Sequence, residues 1–142
     1  MRYSFLLLPG TILLLAGCTG SPPTTERSTE MCDDRPRCVS TLDSREDFNL
    51  APFNLADGVT LDQIEAVALT LPNAKTAAKS DNYLRIEYTT KIMRFVDDME
   101  LGIQDGQLVL RSESRLGHYD FDVNRERAEA LREKLLEAGL VL

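Results

Sequence analysis

The chain has 142 residues, room for one domain with a sizeable core once its N-terminus is set aside. Sixteen basic and 23 acidic side chains give a net charge of −7, or −8 if Arg2 leaves with a cleaved leader. That balance argues against nucleic acid as a partner and against electrostatic adsorption onto anionic lipid.

Met1-Arg2 is a weakly positive start, and the apolar run Tyr3 to Ala16 is too short for a comfortable membrane span. Residues 1–17 read as a secretory signal. Leu15-Ala16-Gly17-Cys18 resembles the lipobox of bacterial lipoproteins. That resemblance implies diacylglyceryl attachment to Cys18, cleavage before it and acylation of the new terminus with a palmitate-type chain. Several acyl chains on one residue exceed what stable anchoring needs, so the membrane is an expected partner through lipid. The alternative is an ordinary signal peptide with Cys18 incidental. Thr19, where an Asp would signal retention, points by analogy with the lipoprotein sorting rule to the outer membrane, facing the periplasm. Residues 18–36 are then a lipidated tether and 37–142 a single domain. Within the tether, Thr19 to Met31 is polar, holds Pro22-Pro23 and is expected to be disordered. Extended, it would reach about 45 Å, enough to hold a domain clear of the headgroups.

Cys32 and Cys38 remain once Cys18 is taken by lipid, and an even remainder in an exported chain argues for a disulfide. A buried free thiol at Cys38 or a redox-active pair are the alternatives, although the spacing is not C-x-x-C. No second Cys/His cluster exists to complete a zinc site, and no metal or cofactor is expected. Asn49 to Ala56 reads as a short edge strand or an extended lead-in, because Pro52 lies within it. Thr60 and Gln63 form a capping-box pattern, and Leu61, Ile64, Ala68 and Leu71 line one helix face up to Pro72. Asn73 to Lys79 is a weak strand by composition. Ser80-Asp81-Asn82 is a turn. Tyr83 to Thr90 is a strand with Leu84, Ile86 and Tyr88 facing in and Arg85, Glu87 and Thr89 facing out.

Asp105-Gly106, between two alternating runs, signals a two-residue hairpin. It pairs Ile103 with Leu108, Leu101 with Leu110, Met99 with Ser112, Asp97 with Ser114 and Phe95 with Leu116 on the core face. The other face pairs Glu100 with Arg111, Asp98 with Glu113 and Val96 with Arg115. Glu100–Arg111 is then a surface ion pair worth about 0.2–1 kcal/mol. Asp98 opposite Glu113 needs Arg111 and Arg115 as neutralising diagonals. Asp97, on the apolar face, needs donors, with Ser114 and a guanidinium as candidates. After the loop Leu116 to Asp122, a helix runs from Asn124 to Ala138, capped by Asp122 or Asn124 and ended by Gly139. The expected fold is α+β: a four-stranded antiparallel sheet packed by two helices, in the order helix, four strands, helix, with room for an extra N-terminal strand.

Cys38-Val39-Ser40, Phe95-Val96-Asp97-Asp98-Met99-Glu100 and Arg111 to Arg127 resemble the domain-of-unknown-function 1499 family. The pattern is F-V-D-D-x-E followed by R-S-x-S-R-x-G-x-x-D-x-x-x-N-R-x-R, over about ninety residues. The family implies no activity. The resemblance does imply that Asp97, Asp98, Glu100, Arg111, Ser112, Ser114, Arg115, Asp120, Asn124, Arg125 and Arg127 form one spatial cluster.

Four arginines and a helix start are suited to a phosphate or carboxylate, but the acids nearly cancel them and favour an internal network. Asp97 and Asp98 point to opposite faces of a strand, which counts against a carboxylate acid–base pair. Asp120-x-Asp122-x-Asn124 opens like a calcium loop, but Arg125 and Leu131 stand where the glycine and the bidentate Glu belong. His118 is isolated, and Ser112 and Ser114 lack a nucleophile-elbow context. Two function classes remain. The first is a non-enzymatic envelope module that binds an envelope protein or a small anionic ligand. The second is a hydrolase or other enzyme on an envelope substrate, using the same carboxylates and arginines; the missing nucleophile–base pair favours the first.

Overall fold

The computed structural model describes residues 19–142. The expected signal segment and Cys18 lie outside the described residues. In chain order the elements are β1 (Cys38–Ser40), β2 (Phe53–Asn54), α1 (Leu61–Ala68), β3 (Ala74–Ser80), β4 (Tyr83–Thr89), β5 (Val96–Gln104), β6 (Gln107–Ser114) and α2 (Val123–Glu137). The class is α+β as expected, but the strand count is not four. The sheet has six strands in the order β1-β6-β5-β4-β3, and β2 also pairs with β6. β2 falls where the extra N-terminal strand was expected. β1 was not expected at all: three residues beside a cysteine are too few to show a period of two.

Asp105 and Gly106 both take left-handed backbone, at φ 50° and 74°, which a type I′ turn demands. The register of β5 on β6 is the expected one, from Gln104 opposite Gln107 through Met99 opposite Ser112 to Asp97 opposite Ser114. Phe95 and Leu116 fall beyond the ladder, and Phe95 is exposed, so the core face ends one pair earlier than expected. α1 begins with the Thr60–Gln63 capping box. Its Ile64 and Ala68 pack with Leu131 and Leu135 of α2 over Leu84, Ile86, Met99, Leu101 and Leu110 of the sheet. Burying each such aliphatic side chain is worth roughly 1.5–3 kcal/mol, so this seam is the main apolar driving force.

The start of α2 differs from expectation. Phe121 and Asp122 are both left-handed, at φ 56° and 64°, and Asp122 makes no side-chain cap. Asp120 does the capping: its carboxylate accepts from Asp122 N and Asn124 N, each at 3.1 Å. Asn124 sits inside the first turn and is fully buried.

The largest departure lies on the opposite face of the sheet. Alternation marks that face as solvated, yet Asp98, Glu100, Arg111 and Glu113 are all buried there. The stretch read as a disordered tether covers them, with Arg27 bonded to the sheet and Ser28 buried. A β-carbon at Gly102 would lie 3.1 Å from Asn82 O and 3.4 Å from Ser28 Oγ, so the covering segment passes directly over the strand.

Candidate functional site

The residues expected to form one cluster divide among three places. β5 and β6 send neighbouring side chains to opposite faces, so Asp98, Glu100, Arg111 and Arg115 part from Asp97, Ser112 and Ser114.

On the helix side, Asn124 is the hub. Its Nδ2 donates to Ser114 Oγ at 2.9 Å, Asp120 Oδ2 at 2.8 Å and Arg37 O at 3.1 Å. Its Oδ1 accepts from Ser112 Oγ at 2.6 Å. Asp97 does find a guanidinium, since Arg127 Nη2 donates to it at 2.9 Å, but Ser114 is committed to Asn124. The Arg127 guanidinium also lies 4.6 Å from the centre of the Tyr88 ring. Burial is the main force pushing the Tyr88 phenol up to about 12, so it stays protonated. Arg125 belongs to neither set: it donates to Asn49 O at 2.6 Å and Asp47 O at 2.9 Å, tying α2 to the loop before β2.

On the covered face, the charges interlock. Asp98 accepts from Arg85 Nη1 at 2.8 Å and from Arg115 Nε and Nη2 at 2.7 and 2.8 Å, while Arg115 also holds Glu87. The expected Glu100–Arg111 pair is displaced. These two are opposite each other, but their nearest charged atoms are 4.0 Å apart. Arg27 takes Glu100 instead, through Nε at 3.0 Å, Nη2 at 2.8 Å and its backbone N at 2.8 Å, and the Tyr83 hydroxyl donates at 2.6 Å. Glu113 receives Arg27 Nη1 and Arg111 Nη1, both at 2.8 Å, and Arg37 Nη2 at 3.4 Å. Asp98 opposite Glu113 is therefore tolerable because each carboxylate has its own guanidinium groups.

Burial opposes the charge of Arg27, but the carboxylates of Glu100 and Glu113 outweigh it and hold its pKa above the ordinary arginine value. The hydrogen bond to Asp98 does the same for Arg115, even against desolvation. Burial, then the Glu100 contact, pushes the Tyr83 phenol far up. Arg27 and Arg37 were not legible as site residues. No count signalled them: Glu87, Asp98, Glu100 and Glu113 share a face with Lys75, Arg85, Arg111 and Arg115, an even balance.

A cavity of about 410 Å³ opens between the covering segment and the sheet, lined by Arg27, Arg35, Arg37, Asp98, Arg111, Glu113 and Arg115 among others. Two buried nitrogens of this network, Arg37 Nε and Arg111 Nε, have no hydrogen-bond partner among the described residues. Cys32 also lines the cavity and is joined to Cys38 in a disulfide, whose α-carbons are 5.7 Å apart. Asp43 fixes that loop: it accepts from Cys32 N at 3.1 Å and from Arg45 Nε and Nη2 at 2.9 and 2.6 Å. The Arg45 hydrogen bonds, working against desolvation, hold the Asp43 carboxyl down at about 2.

Residues 28–135 match the family described as protein of unknown function, DUF1499. The chain belongs to that family. The match begins at Ser28, so it takes in the disulfide loop and the end of the covering segment as well as the sheet and α2. No curated protein and no solved structure matches the chain. Among the described residues, no group of three or more His, Cys, Asp or Glu side chains is arranged to hold a metal ion.

Proposed function

We propose that this DUF1499 protein is an envelope lipoprotein, held in the outer membrane by acylated Cys18 and facing the periplasm. Its domain is a non-enzymatic binding module. The ligand is a small anion, a carboxylate or phosphate, received in the cavity over the sheet; an envelope protein presenting a carboxylate is recognised by the same chemistry. The observation that carries this reading is Arg111. It is buried, lines the cavity, and spends one nitrogen on Glu113 while its Nε has no partner among the described residues. An arginine edge of that kind matches the two oxygens of an anionic group. The charge count agrees: among the residues lining the cavity, the guanidinium groups of Arg27, Arg35, Arg37, Arg111 and Arg115 outnumber the carboxylates of Glu30, Asp33, Asp98 and Glu113 by one.

A second reading, an enzyme on an envelope substrate, is favoured by one feature, the presence of Asp98, Arg111 and Arg115 in a single cavity. Against it, both Asp98 oxygens are occupied by guanidinium groups, Asp97 lies on the other face, and the Ser112 and Ser114 hydroxyls are bonded to Asn124.

The test is calorimetric titration of the full chain with inorganic phosphate and with succinate, repeated on Arg111→Lys. Saturable binding of either probe is expected, weakened at least about tenfold in the variant, which corresponds to about 1.4 kcal/mol. Arg111→Lys keeps the charge but loses the fork, so equal affinity in the two proteins would overturn the assignment. So would the absence of binding by both probes.

A further inference from the structure

Two loops leave the same end of the sheet carrying large apolar side chains into solvent. The β4–β5 loop is closed at its base by Thr90 N donating to Phe95 O at 2.9 Å, and it presents Ile92, 90 % exposed, and Met93. The loop before α2 presents Tyr119 and Phe121, the latter 79 % exposed, with their rings edge to face at 5.0 Å. Between the loops, Phe95, Leu116, Tyr119 and Phe121 line a mainly apolar cavity of about 290 Å³. Water gains nothing from such a surface, and contiguous apolar patches on a monomer mark contact sites.

The position of Gly20 says what covers it. Gly20 is left-handed, at φ 70°, and a β-carbon there would lie 2.8 Å from Arg115 Cβ and 3.2 Å from Leu116 Cγ. Its backbone therefore lies on the two residues that begin the apolar end. Cys18 is only two residues further along, at most about 7 Å of chain. The covering segment, bound to the sheet by Arg27, does not give the long reach of a free tether. A lipid on Cys18 brings the bilayer to this end and no other. Lys91 and Arg94, both exposed, flank Ile92 and Met93, where cations meet lipid phosphates while the apolar side chains enter the acyl boundary. The aromatic ring of Tyr119 suits the same interface.

We propose that these two loops form a membrane-docking face, which seats Ile92, Met93 and Phe121 in the phospholipid interface beside the acylated Cys18. The proposal rests on the lipoprotein reading and adds a fixed orientation. The sheet stands end-on to the bilayer, with the Asp105-Gly106 turn pointing away from it.

The chain contains no tryptophan, so a single introduced one reports its own surroundings. Acylated full-length Phe121→Trp, Ile92→Trp and Gln104→Trp are reconstituted on phosphatidylethanolamine–phosphatidylglycerol vesicles with and without brominated acyl chains. Gln104 is exposed and lies at the far end of β5, about 26 Å from its start. Emission from Trp at 121 and at 92 is expected to shift to the blue and to lose most of its intensity to bromine, while Trp at 104 does neither. Vesicle flotation of the same samples separates the two claims. Flotation with all three tryptophans unquenched overturns the docking face and leaves the anchor standing. Failure to float overturns the anchor and the docking face with it. A blue shift without quenching, growing with protein concentration, assigns the patch to a second copy and also overturns the proposal.

Discussion

Arg27→Met deletes one guanidinium while keeping most of its aliphatic stem. Glu100, fully buried, loses the Nε and Nη2 donors and keeps only the Tyr83 hydroxyl and the backbone N–H of residue 27. Glu113 is less affected, because Arg111 and Arg37 remain beside it. Removing one partner of a buried ion pair costs about 3–5 kcal/mol. Arg27 is itself about a quarter exposed and two donors to Glu100 survive, so the expected loss is about 2–3 kcal/mol. For a domain of this size that lowers Tm by about 8–12 °C. Urea unfolding followed by far-ultraviolet circular dichroism measures it, with the midpoint moving and the slope unchanged. Adding Glu100→Gln to Arg27→Met is expected to recover part of the loss, since the amide no longer needs a cation. A loss within about 0.5 kcal/mol, the range of a plain surface substitution, would refute the burial of this network.

Asn124→Ala removes a buried hub with five side-chain and backbone partners and is expected to cost about 2–4 kcal/mol in the same unfolding assay. Asp43 has a folded pKa lowered from 3.8 to about 2, so its stabilisation is complete above pH 3.8 and is lost as pH falls through about 2. Asp43→Asn should therefore lose about 1–2 kcal/mol at neutral pH and flatten the acid limb of a stability–pH profile between those values. Reduction of Cys32–Cys38, which closes a six-residue separation, should cost about 2 kcal/mol on loop entropy, read as a lower Tm in dithiothreitol.

Local chemistry made part of the fold legible. Asp105-Gly106 dictated the β5–β6 register because only a left-handed pair closes a two-residue turn, and the Thr60–Gln63 box placed the start of α1. Left-handed Phe121 and Asp122 could not be read in the same way, since Phe disfavours that backbone and an Asp with no glycine after it does not by itself signal the turn. β1 is set by pairing across a large sequence separation, Cys38 to Glu113, and no local pattern carries that. The covered face was misread for a related reason. Period-two alternation distinguishes apolar from polar, and is usually taken as buried against solvated. Here the polar face is buried by charge pairing, and the groups that permit it, Arg27 and Arg37, come from a Pro- and Thr-rich stretch and a cysteine loop. The candidate site was legible as a set of residue types and not as a place. Asp97 and Asp98 serve opposite faces, Arg125 serves a third contact, and one family pattern spans all three.

Amide hydrogen exchange at Arg27 in the full-length protein bears most directly on the claim that residues ahead of the disulfide close a buried charge network. Its N–H donates to Glu100 at 2.8 Å beneath a covered face, so exchange should be slowed to the range of the core strands. Exchange at the rate of an unstructured peptide would mean that this segment is a free tether and that Glu100 has some other partner.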